Sequence, residues 1–212
     1  MPDRVNAVTE ITLGLDTTQP GLVLSFQIGT AVPRVQGWDL GRGLSTQLHG
    51  YLRQFVLPYD WSDLTSIVVA RGPGSFTGTR IGVITARTLA QQLQIPLIPV
   101  STLAMVAWVH GHSQRDSITP IAVEMPAQQG QVYGAIYENL GSGVVPIDGD
   151  QKFAIADWED HLAQYPIALE RVRTDALDLS AQQLGLALLD LGQHYLHLGQ
   201  NTAWQDVLPF YG

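Results

Sequence analysis

No cysteine occurs among the 212 residues. That absence removes disulfides, thiol nucleophiles and thiolate metal sites together. Basic charge is scarce too: 11 lysines and arginines stand against 19 acidic residues, for a net charge of −8. Lys152 is the one lysine, and the arginines are scattered. A protein that grips nucleic acid through phosphates needs a basic surface, so strong direct nucleic-acid binding is not expected. No apolar run is long enough to span a bilayer, and no membrane association is expected. The opening MPDRVNAVTE mixes charges and has no apolar signal core, so a cytoplasmic location is the expectation. With 45% hydrophobic residues the chain has material for a packed core.

What is present reads as alternating strands and helices. Ile11 to Leu15 is a strand ending at Asp16-Thr17-Thr18, and Leu22 to Ile28 is a second. Gly29-Thr30 fits a two-residue hairpin turn, returning into a strand over 31–38. Leu44, Leu48, Tyr51, Leu52, Phe55 and Val56 trace one face of a helix. Ser66 to Ala70 is a strand, Thr77 to Leu93 a long helix, and Pro96 to Val100 another strand. The second half repeats the order: strands over 118–124, 132–137 and 144–147, with Gly141-Ser-Gly between the last two. An irregular stretch over 148–156, a helix over 157–164 and a strand over 167–169 follow. A long helix then opens at Ser180, which forms a capping-box pair with Gln183. Each half reads β-β-β-α-β-α, the order of an RNase H-like module. Two in tandem, divided as 1–100 and 101–212, make the α/β plan of the actin-like ATPase superfold. Asp16 and Glu124 then end the first strands of the two halves. They stand either as strand-end caps or as cleft carboxylates facing a nucleotide and its metal.

The most informative stretch is Gly72-Pro-Gly-Ser-Phe-Thr-Gly-Thr-Arg-Ile-Gly82, where a strand turns directly into a helix. Its glycines allow backbone angles and approaches that a β-carbon forbids. Ser75 and Thr77 are candidate helix caps, and the free amides behind them suit an anion or a partner's carboxylate. The segment is no P-loop, because the G-x-x-x-x-G-K-[ST] order and its lysine are missing. Nor is it a nucleophile elbow, since Pro73 and Thr77 stand where G-x-S-x-G needs glycine.

As a whole string, GPGSFTGTRIG resembles the GPGSFTGLRIG hallmark of the TsaB/YeaZ family, differing at Thr79 alone. The opening ITLGLDTT is similar to that family's D-T-S/T strand. IPLIPVSTLA resembles the segment after its glycine-loop helix, GQVYGAIY its G-E-V-Y strand, and VLPFYG its usual C-terminal pattern. The resemblance implies a non-catalytic actin-like-fold subunit of the machinery that makes threonylcarbamoyladenosine at position 37 of tRNA. It implies heterodimerisation with the catalytic paralogue TsaD, contact with the ATPase TsaE, and a homodimer in isolation through the same helical face. Carried onto this chain, the glycine-rich site comprises Asp16, Thr17, Gly72, Gly74, Ser75, Phe76, Thr77, Gly78 and Arg80, a candidate nucleotide or partner contact. The interface residues are Leu48, Tyr51, Leu52 and Phe55 on one helix and Ile81 and Ile84 on the next. The family's D-A-R-x-G-E-V-Y is altered here to 124–133 EMPAQQGQVY, which removes the arginine and one acid.

Two enzymatic alternatives fit less well. TsaD carries histidines in a V-N-H-x-x-x-H pattern; in register with them stand Thr102 and Val106, one hydroxyl and one hydrocarbon. His110, His112, His194 and His197 lack further ligands at metal-site spacing, and no metal is expected. An actin-like small-molecule kinase carries D-x-G-x-T/S, whereas Asp16-Thr17-Thr18 has no glycine. Weak ATP or ADP binding is compatible with that turn, hydrolysis is not expected, and no cofactor is required. A homodimeric adaptor unrelated to tRNA is the remaining alternative class.

Overall fold

The computed structural model describes residues 9–114, 117–140, 143–200 and 203–211. β1 (Ile11–Asp16), β2 (Leu22–Ile28) and β3 (Arg34–Trp38) form an antiparallel meander. α1 (Leu44–Val56) leads into β4 (Ser66–Ala70), and α2 (Phe76–Leu93) into β5 (Leu97–Val100). β4 lies parallel to β1 and β5 parallel to β4, giving the order β3-β2-β1-β4-β5. α3 (Thr102–Ser113) connects to the second sheet: β6 (Ile121–Pro126), β7 (Gln131–Asn139), β8 (Val144–Ala154), α4 (Ile155–Ala163) and β9 (Glu170–Arg173). Its order is β8-β7-β6-β9, again with an antiparallel meander and a parallel fourth strand. α5 (Ala181–His197) ends the pattern. Two RNase H-like modules in tandem make this the actin-like superfold.

The strands of the first sheet explain their own composition. β1 and β4 are buried at every position, because helices cover both faces and alternation disappears. Ile67 and Val69 of β4 face the cluster built with α1 and α2, whereas Val68 and Ala70 face the other cluster. That second cluster holds α3 and α5, which lie between the sheets. α5 packs on β1, β2 and β3 although it belongs to the second half of the chain, and α3 packs on β6, β7 and β8. The two modules are therefore tied by their helices. α5 starts where the capping box places it: Gln183 N donates to Ser180 Oγ at 3.2 Å, and Ser180 N to Gln183 Oε1 at 3.0 Å. Its buried Leu184, Ala187, Leu188 and Leu191 form the stripe that fills the space.

Several elements differ from the sequence expectation. The β2–β3 connection is not a two-residue turn; residues 29–33 form the loop, with Gly29 at φ +48°. α3 has no counterpart in the sequence reading, and it carries His110 and His112 in its last turn. α3 is buried nearly all round between two sheets, so it shows no amphipathic stripe. The stretch read as irregular belongs to β8 as far as Ala154 and to α4 beyond it; the 11 residues of β8 form an edge strand with register shifts opposite Ile136. Being mostly solvated, it needs no apolar alternation. β9 is not at 167–169 but at Glu170–Arg173, a charged strand that buries only Val172. Residues 1–8 of the opening stretch and residues 141–142 of the Gly-Ser-Gly turn lie outside the described residues.

Leu188 is fully buried between the sheets. Leu188→Ala should lower the unfolding free energy by about 2–5 kcal/mol in urea titration. Gly50, exposed in mid-α1 with nothing within 4 Å of an added β-carbon, should behave oppositely. Gly50→Ala should gain about 0.5–1 kcal/mol.

Candidate functional site

The glycine-rich segment and the Asp16-Thr17-Thr18 turn form one structure. Ser75 N donates to Thr18 O at 2.7 Å, and Thr17 Oγ1 donates to Gly78 O at 2.8 Å. A β-carbon at Gly74 would run into the Thr18 carbonyl, one at Gly78 into the Thr17 carbonyl, and one at Gly82 into Thr17 Oγ1. The spacing of four puts Gly78 and Gly82 on one side of α2, under the turn, with Gly74 just ahead of the N-cap. Gly72 has φ +97°, which an L side chain rarely adopts. Ser75 is the N-cap, its Oγ accepting from Gly78 N at 3.2 Å, while Thr77 is exposed in the first helical turn and caps nothing. Thr79, where the motif departs from the family string, is buried and its hydroxyl has no hydrogen-bond partner among the described residues. The close approaches that phosphate loops reserve for a ligand are here filled by Thr17 and Thr18 of the chain itself.

Asp16 is 2% exposed. Its Oδ1 accepts from Thr18 N at 2.8 Å and Thr18 Oγ1 at 2.7 Å, and its Oδ2 is buried with no partner among the described residues. Burial raises the carboxyl above its ordinary value, and the two Thr18 hydrogen bonds offset that only in part. Asp16 lines a cleft of about 470 Å³ between the β1–β2 turn and residues 174–184. Glu124, its counterpart in the second module, has a different fate. It accepts from Trp158 Nε1 at 2.8 Å and Arg171 at 3.0 Å, with Arg173 at 3.6 Å. Glu124 does not line the Asp16 cleft; it anchors α4 to β9.

A second hollow, of about 810 Å³, lies beside the glycine loop among Ser75, Phe76, Gln128, Tyr133, Lys152 and Tyr211. The C-terminal residues strap across it. Phe210 N donates to Arg71 O at 2.8 Å, Tyr133 Oη to Tyr211 O at 3.1 Å, and Arg80 Nε to Tyr211 Oη at 2.7 Å. Arg80 also lies over the Phe76 ring at 4.1 Å. Phe76, Arg80 and Ile84 make one exposed row on α2, with Phe76 57% and Ile84 59% exposed. The expected interface on α1 needs correction. Leu48, Leu52 and Phe55 are buried in the chain's own core, and Tyr51 packs on Trp38 at 4.8 Å. α1 turns a polar face outward, including Ser45, Gln47, His49 and Arg53. Ile81 is half-buried. Only Ile84 of the six expected interface residues is broadly exposed.

Sequence reasoning missed a polar knot between the modules. Asp150 Oδ1 accepts from Ser101 Oγ at 2.7 Å and Tyr137 Oη at 3.2 Å, and Oδ2 pairs with Arg71 at 3.2 Å. Burial raises the Asp150 carboxyl, partly offset by Ser101 and Arg71, and pushes the Tyr137 hydroxyl well up. Asp150 sits in the stretch read as irregular, so no pattern marked it. Thr102 and Val106 are both buried in α3. Among the described residues no group of three or more His, Asp or Glu side chains is placed to hold a metal, and no helix is long and apolar enough to cross a membrane.

This tandem fold, with its carboxylate turn resting on a glycine-lined helix, matches known proteins. The family model described as "TsaD: tRNA N6-adenosine threonylcarbamoyltransferase" matches residues 57–204, and the chain belongs to that family of actin-like-fold proteins. The chain is 42% identical over 102 residues to the tRNA threonylcarbamoyladenosine biosynthesis protein TsaB of Bacillus subtilis, covering 48% of this chain and 43% of that one. It is 37% identical over 83 residues to the Escherichia coli protein of the same name, covering 39% and 35%. The chain thus spans less than half the length of these two relatives. The solved structure of YeaZ from Pseudomonas aeruginosa superposes with a TM-score of 0.74 at 20% identity, over 96% of this chain and all of that one. Within the wider family, these likenesses are to TsaB and YeaZ proteins.

The buried charge on Asp16 has a testable sign. A carboxyl raised above 3.8 in the folded state gives its full contribution below the unfolded value and loses it as pH rises through the folded value. Asp16→Asn keeps the acceptor for Thr18 and cannot ionise. Its thermal midpoint should exceed the parent's near neutral pH, and the gap should close toward about pH 4. A gap that widens on acidification contradicts this.

Proposed function

We propose that this chain is a non-catalytic subunit of the machinery that makes threonylcarbamoyladenosine at position 37 of tRNA. In this reading it binds a TsaD paralogue as a heterodimer, meets the TsaE ATPase through that assembly, and self-associates when alone. The names carried by its relatives support the pathway. The observation that carries the non-catalytic part is the occupied glycine motif: the approaches at Gly74, Gly78 and Gly82 belong to Thr17 and Thr18. Thr102 and Val106, buried where the catalytic paralogue has its histidines, support it further. No cofactor is required. ATP or ADP binding is weak, because the Asp16 cleft is lined by aspartates and, among the described residues, by no lysine or arginine. The net charge of −8 favours weak tRNA binding by the chain alone, and the site of action is the cytoplasm.

The partner face in this reading is the Phe76–Arg80–Ile84 row with the Tyr211 strap. Exposed apolar side chains rimmed by an arginine suit a protein interface. Co-purification with the same organism's TsaD, and assay of tRNA modification with and without this chain, test the role. Ile84→Glu puts a charge on the exposed row without touching the core. It should leave a folded chain that has lost both self-association and TsaD capture, by about tenfold or more in affinity. Normal capture by that variant would place the interface elsewhere.

A further inference from the structure

The Asp16 cleft has a charge pattern opposite to that of a phosphate site. Its polar lining includes Asp16, Asp39 and Asp178, and no lysine or arginine among the described residues lines it. Leu22, Trp38, Val106, Leu177 and Leu184 supply apolar walls. Its volume of about 470 Å³ falls in the range of small-molecule sites. Acidic side chains alone would prove nothing, since Asp39 and Asp178 are exposed and solvated. Asp16 is different. It is 2% exposed, Oδ1 is committed twice to Thr18, and Oδ2 has no partner among the described residues. A carboxylate oxygen removed from water and left unpaired is costly, and a guest carrying a donor would recover that cost.

Three kinds of guest can be compared. A nucleotide brings more negative charge against three aspartates and meets no cation to offset it. A neutral guest can donate a hydrogen bond but leaves the charge of Asp16 uncompensated. A cation with an apolar body satisfies both sides of the cleft, and the side of Trp38 offers it an aromatic surface. The carboxylates are not grouped for a metal ion.

We propose that the cleft binds an aliphatic amine in its protonated form, the ammonium meeting Asp16 Oδ2 and the carbon chain lying along Leu22, Trp38 and Leu184. Asp39 and Asp178 at the rim draw the cation in and offer a second ammonium its partner, so a diamine is the better guest. This goes beyond the subunit reading and concerns the isolated chain, so either can fail without the other.

The test is an amide-resolved NMR titration of the full chain at constant ionic strength. The probes are 1,4-diaminobutane, butylammonium, butanol as the neutral counterpart, and magnesium ATP. Both amines should give saturable shifts centred on residues 16–23 and 174–184, binding about tenfold tighter than butanol. Asp16→Asn should abolish that preference. Equal binding of butanol, amine shifts spread without saturation over other acidic surface, an undiminished preference in Asp16→Asn, or tighter binding of ATP at the same residues would each overturn the proposal. Should Asp16→Asn fail to fold, the comparison of amine with butanol in the parent chain decides alone.

Discussion

The seat of the Asp16-Thr17-Thr18 turn on the glycine side of α2 is the constraint from which the rest follows. Backbone carbonyls of Thr17 and Thr18 occupy the space that β-carbons at Gly78 and Gly74 would take. Two hydrogen bonds, Ser75 N to Thr18 O and Thr17 Oγ1 to Gly78 O, fix the contact. β1 is the central strand of its sheet, so this contact sets the angle at which α2 leaves β4. It also sets which face of α2 remains outside. Phe76, Arg80 and Ile84 are presented because Gly78, Gly82, Val83 and Ala86 are turned inward.

The two modules share a plan and spend their equivalent carboxylates differently. Glu124 is neutralised by two arginines and an indole, so the second module closes on itself around Trp158. Among the described residues, Asp16 is held by a threonine alone and keeps one oxygen unsatisfied. Pseudo-symmetry of the chain thus ends in functional asymmetry. What joins the halves is the exchange of helices between sheets, with the Arg71–Asp150–Ser101–Tyr137 knot pinning the base of the glycine loop to β8.

Much of this was legible in the residues. The α1 boundaries and β4 emerged from apolar spacing and β-branched content, and α5 from its capping box, because each of these signals is local. The glycine motif was visible as a close-approach device, but which backbone approaches it is a long-range fact. The elements that escaped had no apolar rhythm for physical reasons. α3 is buried all round, β8 is a solvated edge, and β9 buries a single side chain. Leu48, Leu52 and Phe55 were misassigned to a partner face because periodicity reports burial without saying what covers the residue. The three partners of Asp150 lie 13 or more positions away, so no short sequence window contains them.

A double-mutant cycle between Thr17 and Gly82 tests the seating most directly. A β-carbon at Gly82 would meet Thr17 Oγ1, so Gly82→Ala should destabilise the chain and Thr17→Ala should relieve part of that loss. The predicted result is a double variant more stable than the sum of the singles by about 1 kcal/mol or more, measured by equilibrium unfolding. Strict additivity would show that the turn does not rest on the glycines of α2.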